Sequence, residues 1–274
     1  MAFAIILLLA SVSPGVVIVD NVLFYGDDHS MRVLNTGDMV DILEYDNARI
    51  LVEYDSATGE LDKNVIIDLN HVVAEHEQFV FSRGYFDEGE YAKAIRLLEI
   101  FIKFFDDSYY LAEALYYLGQ SYEALASSGS SDSMPHFSTN EQINQQYYNG
   151  DAYRILVNAF PESPFAAKAQ YRLINIYRIS NLPWDDSAQI ILQELAMWDD
   201  FCERFMHTDD YMLALSEKGY LYRVLYEITE DIDYRDKAFT TFNEIIHGYP
   251  NTIHAAYARV HLHELESGEK IYKY

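Results

Sequence analysis

The chain has 274 residues, half of them apolar, and carries 19 Lys and Arg against 44 Asp and Glu, a formal charge of −25. That length supports one large or two modest domains, each with its own core. A surface this acidic repels phosphate backbones and anionic lipid heads, which argues against nucleic acid as a partner. The single cysteine, Cys202, allows no internal disulfide and has no neighbouring ligand residue for a metal.

Residues 1–15, MAFAIILLLASVSPG, open with an uncharged apolar run of about a dozen, short of the ~20 needed to span a bilayer as a helix. The run suits the apolar core of a secretory signal, though it lacks a positive flank. Export is therefore expected, with membrane contact only through residues 1–15 if they stay uncleaved. A retained anchor and a buried first strand are the alternatives.

From residue 16 the pattern turns to short apolar runs with period two: VVIVDNVLFY, MRVL, DMVDILEY, ARILVEYD and NVIIDL. Turn residues separate them, notably Asn35-Thr36-Gly37-Asp38 and an expected tip at Ala57-Thr58-Gly59-Glu60. Five short strands in this span predict a small curled barrel.

From His71 onward the period is helical, predicting helices over 72–87, 90–105, 109–126, 141–160, 164–180, 185–206, 209–229, 234–248 and 252–266. Ser108 and Ser163 are placed to cap the helices that follow them. Residues 127–140, rich in Ser with Gly and Pro, read as a loop inserted inside a helix pair.

The segments LNTGDMVDILEY and RILVEYD resemble the bacterial SH3-like domain over residues 16–70. The helix pairs of residues 71–274 resemble tetratricopeptide repeats. Leu115, Leu118, Gly119 and Tyr122 carry that likeness in one first helix, and Leu215, Gly219 and Tyr222 in another; Ala152, Leu156, Ala159 and Pro161, then Ala238, Phe242, Ile245 and Pro250, carry it in second helices. Together the resemblances imply an all-β SH3-like barrel followed by an all-α solenoid. The stretches AFPESPFAAKAQYRL and GYPNTIHAAYARV resemble repeats of periplasmic envelope proteins, which agrees with export.

In the tetratricopeptide family the outward positions of the first helices contact peptides. By that resemblance the partner-binding positions are Arg83, Tyr116, Gln120, Glu123, Lys168, Tyr171, Asn175, Arg178, Tyr220 and Arg223. Tyrosine offers a rigid plate with a hydroxyl, and converging Arg and Lys would favour a carboxylate-bearing ligand. The competing reading is that the tyrosines pack and the arginines pair with neighbouring glutamates.

His247, His254, His261 and His263 lack a third ligand at matching steps, and the pairs Asp185-Asp186, Asp199-Asp200 and Asp209-Asp210 lack a calcium loop around them. No phosphate-binding, dinucleotide or nucleophile motif is present, so no cofactor and no catalysis are expected. The expected function is a non-enzymatic exported scaffold for a protein or peptide partner in the cell envelope. The alternative is a module recognising glycan or peptidoglycan through the barrel and the tyrosine-rich surface.

Overall fold

A computed structural model describes residues 12–46, 48–129, 135–181 and 188–271. Residues 1–11, residues 130–134 of the Ser-rich stretch and the Asp185-Asp186 pair lie outside them. The chain divides into two compact units, Met1–Ser128 and Gly129–Tyr274.

In the first unit, β1 (Ser13–Val17), β4 (Met39–Tyr45), β5 (Arg49–Tyr54), β6 (Ala57–Asp62) and β7 (Ile66–Asp68) form one antiparallel sheet in the order β6-β5-β4-β1-β7. Strands β2 (Val22–Tyr25) and β3 (Met31–Leu34) make a separate two-stranded ribbon. The helices are α1 (Ala74–Asp87), α2 (Tyr91–Phe104) and α3 (Leu111–Ser127).

The closed SH3-like barrel expected for residues 16–70 does not form, because the five-stranded sheet is open, with β6 and β7 as its edges. The run VVIV shows why. Val17 and Ile66 face one core with Phe24, Leu34 and Val52, while Val16, Ile18, Ile67 and Leu69 face a second core with Ala74 of α1 and Leu97 of α2. Successive strand residues point to opposite faces, so an unbroken apolar run is a strand buried on both sides. Helices cover the second face, and the sheet has no need to curl onto itself. The Tyr85 hydroxyl donates to the Ile18 carbonyl at 2.6 Å, and Lys93 pairs with Asp20 at 2.9 Å, fastening α1 and α2 to the sheet.

One turn differs from expectation. Residues 57–60 are not a tip but the start of β6, which pairs with β5 from Tyr54↔Ala57 onward. The reversal is made by Asp55 and Ser56, both at positive φ (50° and 62°), as a two-residue hairpin turn requires. Neither is glycine, so the turn left little trace in the sequence.

The second unit holds a hairpin, β8 (Phe137–Asn140) and β9 (Gln145–Tyr148), then α4 (Asp151–Ala159), α5 (Ala166–Ser180), α6 (Ala188–Arg204), α7 (Tyr211–Thr229), α8 (Ile232–Gly248) and α9 (Ile253–Ser267). The helix expected over 141–160 is therefore cut to nearly its second half, Asp151–Ala159. Asn144 at φ 47° closes the hairpin, and Gly150 at φ 89° stops the helix from extending back. From α4 to α9 each helix packs on the next, and α7 also packs on α9.

One corner recurs in both units. Phe105, Phe160, Phe205 and Tyr249 end α2, α4, α6 and α8, each donating its N–H to the carbonyl four residues earlier. Three residues on, Ser108, Ser163, Thr208 and Thr252 donate back to those aromatic residues' carbonyls at 3.0–3.2 Å. Six further on, Ala114, Ala169, Ala214 and Ala258 are each fully or almost fully buried. The corners recur at about 45 residues, longer than the ~34 of a tetratricopeptide repeat, and the interval holding the hairpin is longer still.

Candidate binding cleft

Two arginines organise the helices of the second unit. Arg178 on α5 donates through Nε to Glu194 Oε1 of α6 at 3.0 Å and through Nη2 to Glu217 Oε2 of α7 at 2.8 Å. Glu194 is only 1% exposed and also accepts from the Trp198 indole N–H at 3.2 Å, so the packed helices fix the carboxylate that holds the arginine. Burial by itself would lower the Arg178 pKa; the bonds to Glu194 and Glu217 outweigh it and raise it.

Arg223, three residues beyond Tyr220 on α7, is 1% exposed. It donates to Glu227 at 3.1 Å, to His261 Nδ1 of α9 at 2.8 Å, to Glu264, and to the Glu269 carbonyl at 2.8 Å. Glu227 accepts in turn from the Ile271 N–H at 3.0 Å, so residues 269–271 are tied onto α7. Burial and the adjacent Arg223 push the His261 pKa below its ordinary value, while the bond from Arg223 holds the Glu264 carboxyl below its own.

Between these two ion-pair clusters lies a cleft of about 240 Å³, lined by Arg178, Ser216 and Glu217, by the rings of Tyr220, Phe242, Tyr257 and His261, and by Ala258. His261 stacks on Phe242 (ring centroids 5.3 Å apart, 16° between planes) and meets Tyr220 and Tyr257 at 5.9 Å each. Burial pushes the Tyr220 phenol up, and Arg178 pulls it partway back. Ser216 Oγ lies 3.0 Å from His254 Nδ1 but also donates to its own helix at the Met212 carbonyl, 2.9 Å away, an ordinary position for a helical serine. Beside the cleft, α9 turns Ile253, Tyr257 and Val260 outward at 73%, 64% and 55% exposure.

Of the positions expected to bind a partner, Arg178 and Tyr220 meet in this cleft. Arg223 is buried in its ion-pair cluster behind the wall. Tyr171 packs half-buried against Trp198 at 6.0 Å, Asn175 is half-buried on α5, and Lys168 is exposed with its ammonium over the Phe165 ring at 5.8 Å. The remaining four belong to the first unit. Arg83 pairs with Glu113 at 3.2 Å and lies over Tyr117 at 5.2 Å, Tyr116 packs edge-on against Tyr117, and Gln120 and Glu123 are half-buried on α3. The arginines thus pair with neighbouring glutamates.

The sequence reading did not pick out Glu194, Glu217, Phe242 or Tyr257 as site residues. His254 and His261, seven apart, do share a face of α9, and that face looks onto α7. Cys202 is half-buried, and burial pushes its thiol up, away from the reactive thiolate. Among the described residues no three His, Cys, Asp or Glu converge as metal ligands, and no helix is long and apolar enough to cross a membrane. Comparison with protein-family models and with curated proteins returns no match for the chain.

Proposed function

We propose that this chain is a non-enzymatic scaffold of the bacterial cell envelope that holds a segment of a partner protein against α5, α7 and α9. The observation that carries the reading is the cleft beside α9. Arg178 and Tyr220 meet there, next to an outward apolar stripe at i, i+4 and i+7 formed by Ile253, Tyr257 and Val260. Such a stripe fits the apolar face of another helix. The recurring helix corners support a helical-repeat architecture, and the apolar run within residues 1–15 supports export.

The test is a photo-crosslinking residue placed at Tyr257 in the full chain, in cells, with the same residue at Tyr109 (93% exposed, in the first unit) as control. A discrete adduct to one envelope protein from position 257 and none from 109 is the expected result. No adduct, or the same adducts from both positions, removes the reading. Cell fractionation of the same strain checks export.

A further inference from the structure

We infer that the cleft between α5, α7 and α9 receives a cationic side chain, lysine or arginine, from a basic amphipathic segment whose apolar residues lie on Ile253, Tyr257 and Val260. The inference rests on the scaffold reading and names the chemistry of its partner.

Size comes first. About 240 Å³ is below the ~300–1,000 Å³ of small-molecule sites, and it suits one side chain rather than a whole ligand. The walls come next. Tyr220, Phe242 and Tyr257 put three aromatic rings on the wall, and a cation held over an aromatic face gains electrostatic energy that an anion does not.

The charges decide the sign. A carboxylate-bearing ligand, the expectation from the scattered Arg and Lys, would have to take Arg178 from carboxylates already on it. Glu194 is buried and held by the Trp198 indole, and Glu217 sits 2.8 Å from the guanidinium. Among the described residues two carboxylates meet each arginine: Glu194 and Glu217 at Arg178, Glu227 and Glu264 at Arg223. The two clusters flanking the cleft thus hold four carboxylates to two guanidiniums, while Arg178 and Glu217 balance each other on the wall itself, in a chain whose net charge of −25 steers basic partners toward it. Glu217, at 26% side-chain exposure, is the carboxylate an entering cation reaches.

The test uses the full chain and three synthetic helical peptides with one leucine stripe, differing at a single central position: arginine, its neutral isostere citrulline, or glutamate. Binding is read by anisotropy and by the NMR signals of the Tyr257 and His261 rings. The arginine peptide is expected to bind roughly tenfold tighter than the citrulline twin, with a preference that shrinks in high salt. Glu217→Gln or Tyr257→Ala should reduce that preference while the leucine stripe still binds. Equal binding of the arginine and citrulline peptides, or tightest binding by the glutamate peptide, overturns the cation assignment and leaves the scaffold reading standing. If no peptide perturbs Tyr257 at millimolar concentration, the cation assignment falls, and absence of the crosslink as well removes the scaffold reading.

Discussion

The Arg223 guanidinium donates to His261 Nδ1 over 2.8 Å, a bond that this nitrogen can accept only in the neutral imidazole. Protonating Nδ1 would place two donors face to face. Burial and Arg223 depress the pKa of His261, with Glu264 and Glu227 opposing them only in part. A histidine of depressed folded pKa takes up its proton more readily when unfolded. Its contribution is therefore intact above about pH 6.5 and is lost as the pH falls from there to its lower folded value. Urea midpoints between pH 7.5 and 5.5 should fall less steeply for His261→Asn, which keeps an acceptor but does not titrate, than for the parent chain. The exposed His263→Asn is the control. Matching slopes for all three would show that His261 is not the titrating group.

Replacing Arg223 tests the cluster from its other side. Arg223→Met fills the volume but strands Glu227 and Glu264, and breaking a buried pair by removing one partner typically costs about 3–5 kcal/mol. Equilibrium urea unfolding should show a loss of that size for the second unit. The Ile271 amide, held by Glu227 at 3.0 Å, should also lose protection from hydrogen exchange. A loss under about 1 kcal/mol would mean that the cluster is solvated enough to tolerate the stranded carboxylates.

Helices were the most legible part of the chain, for a physical reason. Tyr91, Ala94, Leu98 and Phe101 recur at steps only a helix brings to one face, and α2 runs Tyr91–Phe104 against an expected 90–105. Strand β6 escaped notice because its reversal uses Asp55 and Ser56 at positive φ rather than glycine, while Gly59, the residue that suggested a turn, lies inside the strand with its missing Cβ against the Tyr25 carbonyl. The barrel failed because period two reports which residues face a core, not what supplies the other wall. For Val16 and Ile18 that wall includes Leu97, some eighty residues away. The cleft was half legible. Arg178 and Tyr220 could be placed by repeat offset, whereas Glu194 and Glu217 matter through long-range pairings that no local pattern records.

The shared core of sheet and helices bears on where the chain can be cut. The change of period at residue 71 is a change of secondary structure and not of packing, since Val16, Ile18, Ile67 and Leu69 bury against Ala74 and Leu97. A fragment of residues 12–71 would expose that face and should stay unfolded or self-associate, whereas residues 12–128 keep both cores. Circular dichroism and amide NMR dispersion distinguish the two. A well-dispersed, monomeric 12–71 fragment would show that the first core alone suffices.

Two glycines inside helices should respond to alanine with opposite signs. Gly84 of α1 has open space where a Cβ would sit, so Gly84→Ala gains helix propensity, up to about 1 kcal/mol. At Gly219 of α7 the same atom would lie 2.6, 2.9 and 3.1 Å from three Phe242 ring atoms, and that ring is 1% exposed and stacked on His261. Overpacking of about 1–3 kcal/mol meets a propensity gain of about 1, leaving Gly219→Ala neutral to destabilising by about 2 kcal/mol. Differential urea unfolding gives both values. Because Phe242 lines the cleft, the ring's displacement should also narrow it, so Gly219→Ala weakens the arginine peptide more than the citrulline twin. Equal weakening of both would place Phe242 under the apolar stripe rather than around the cation.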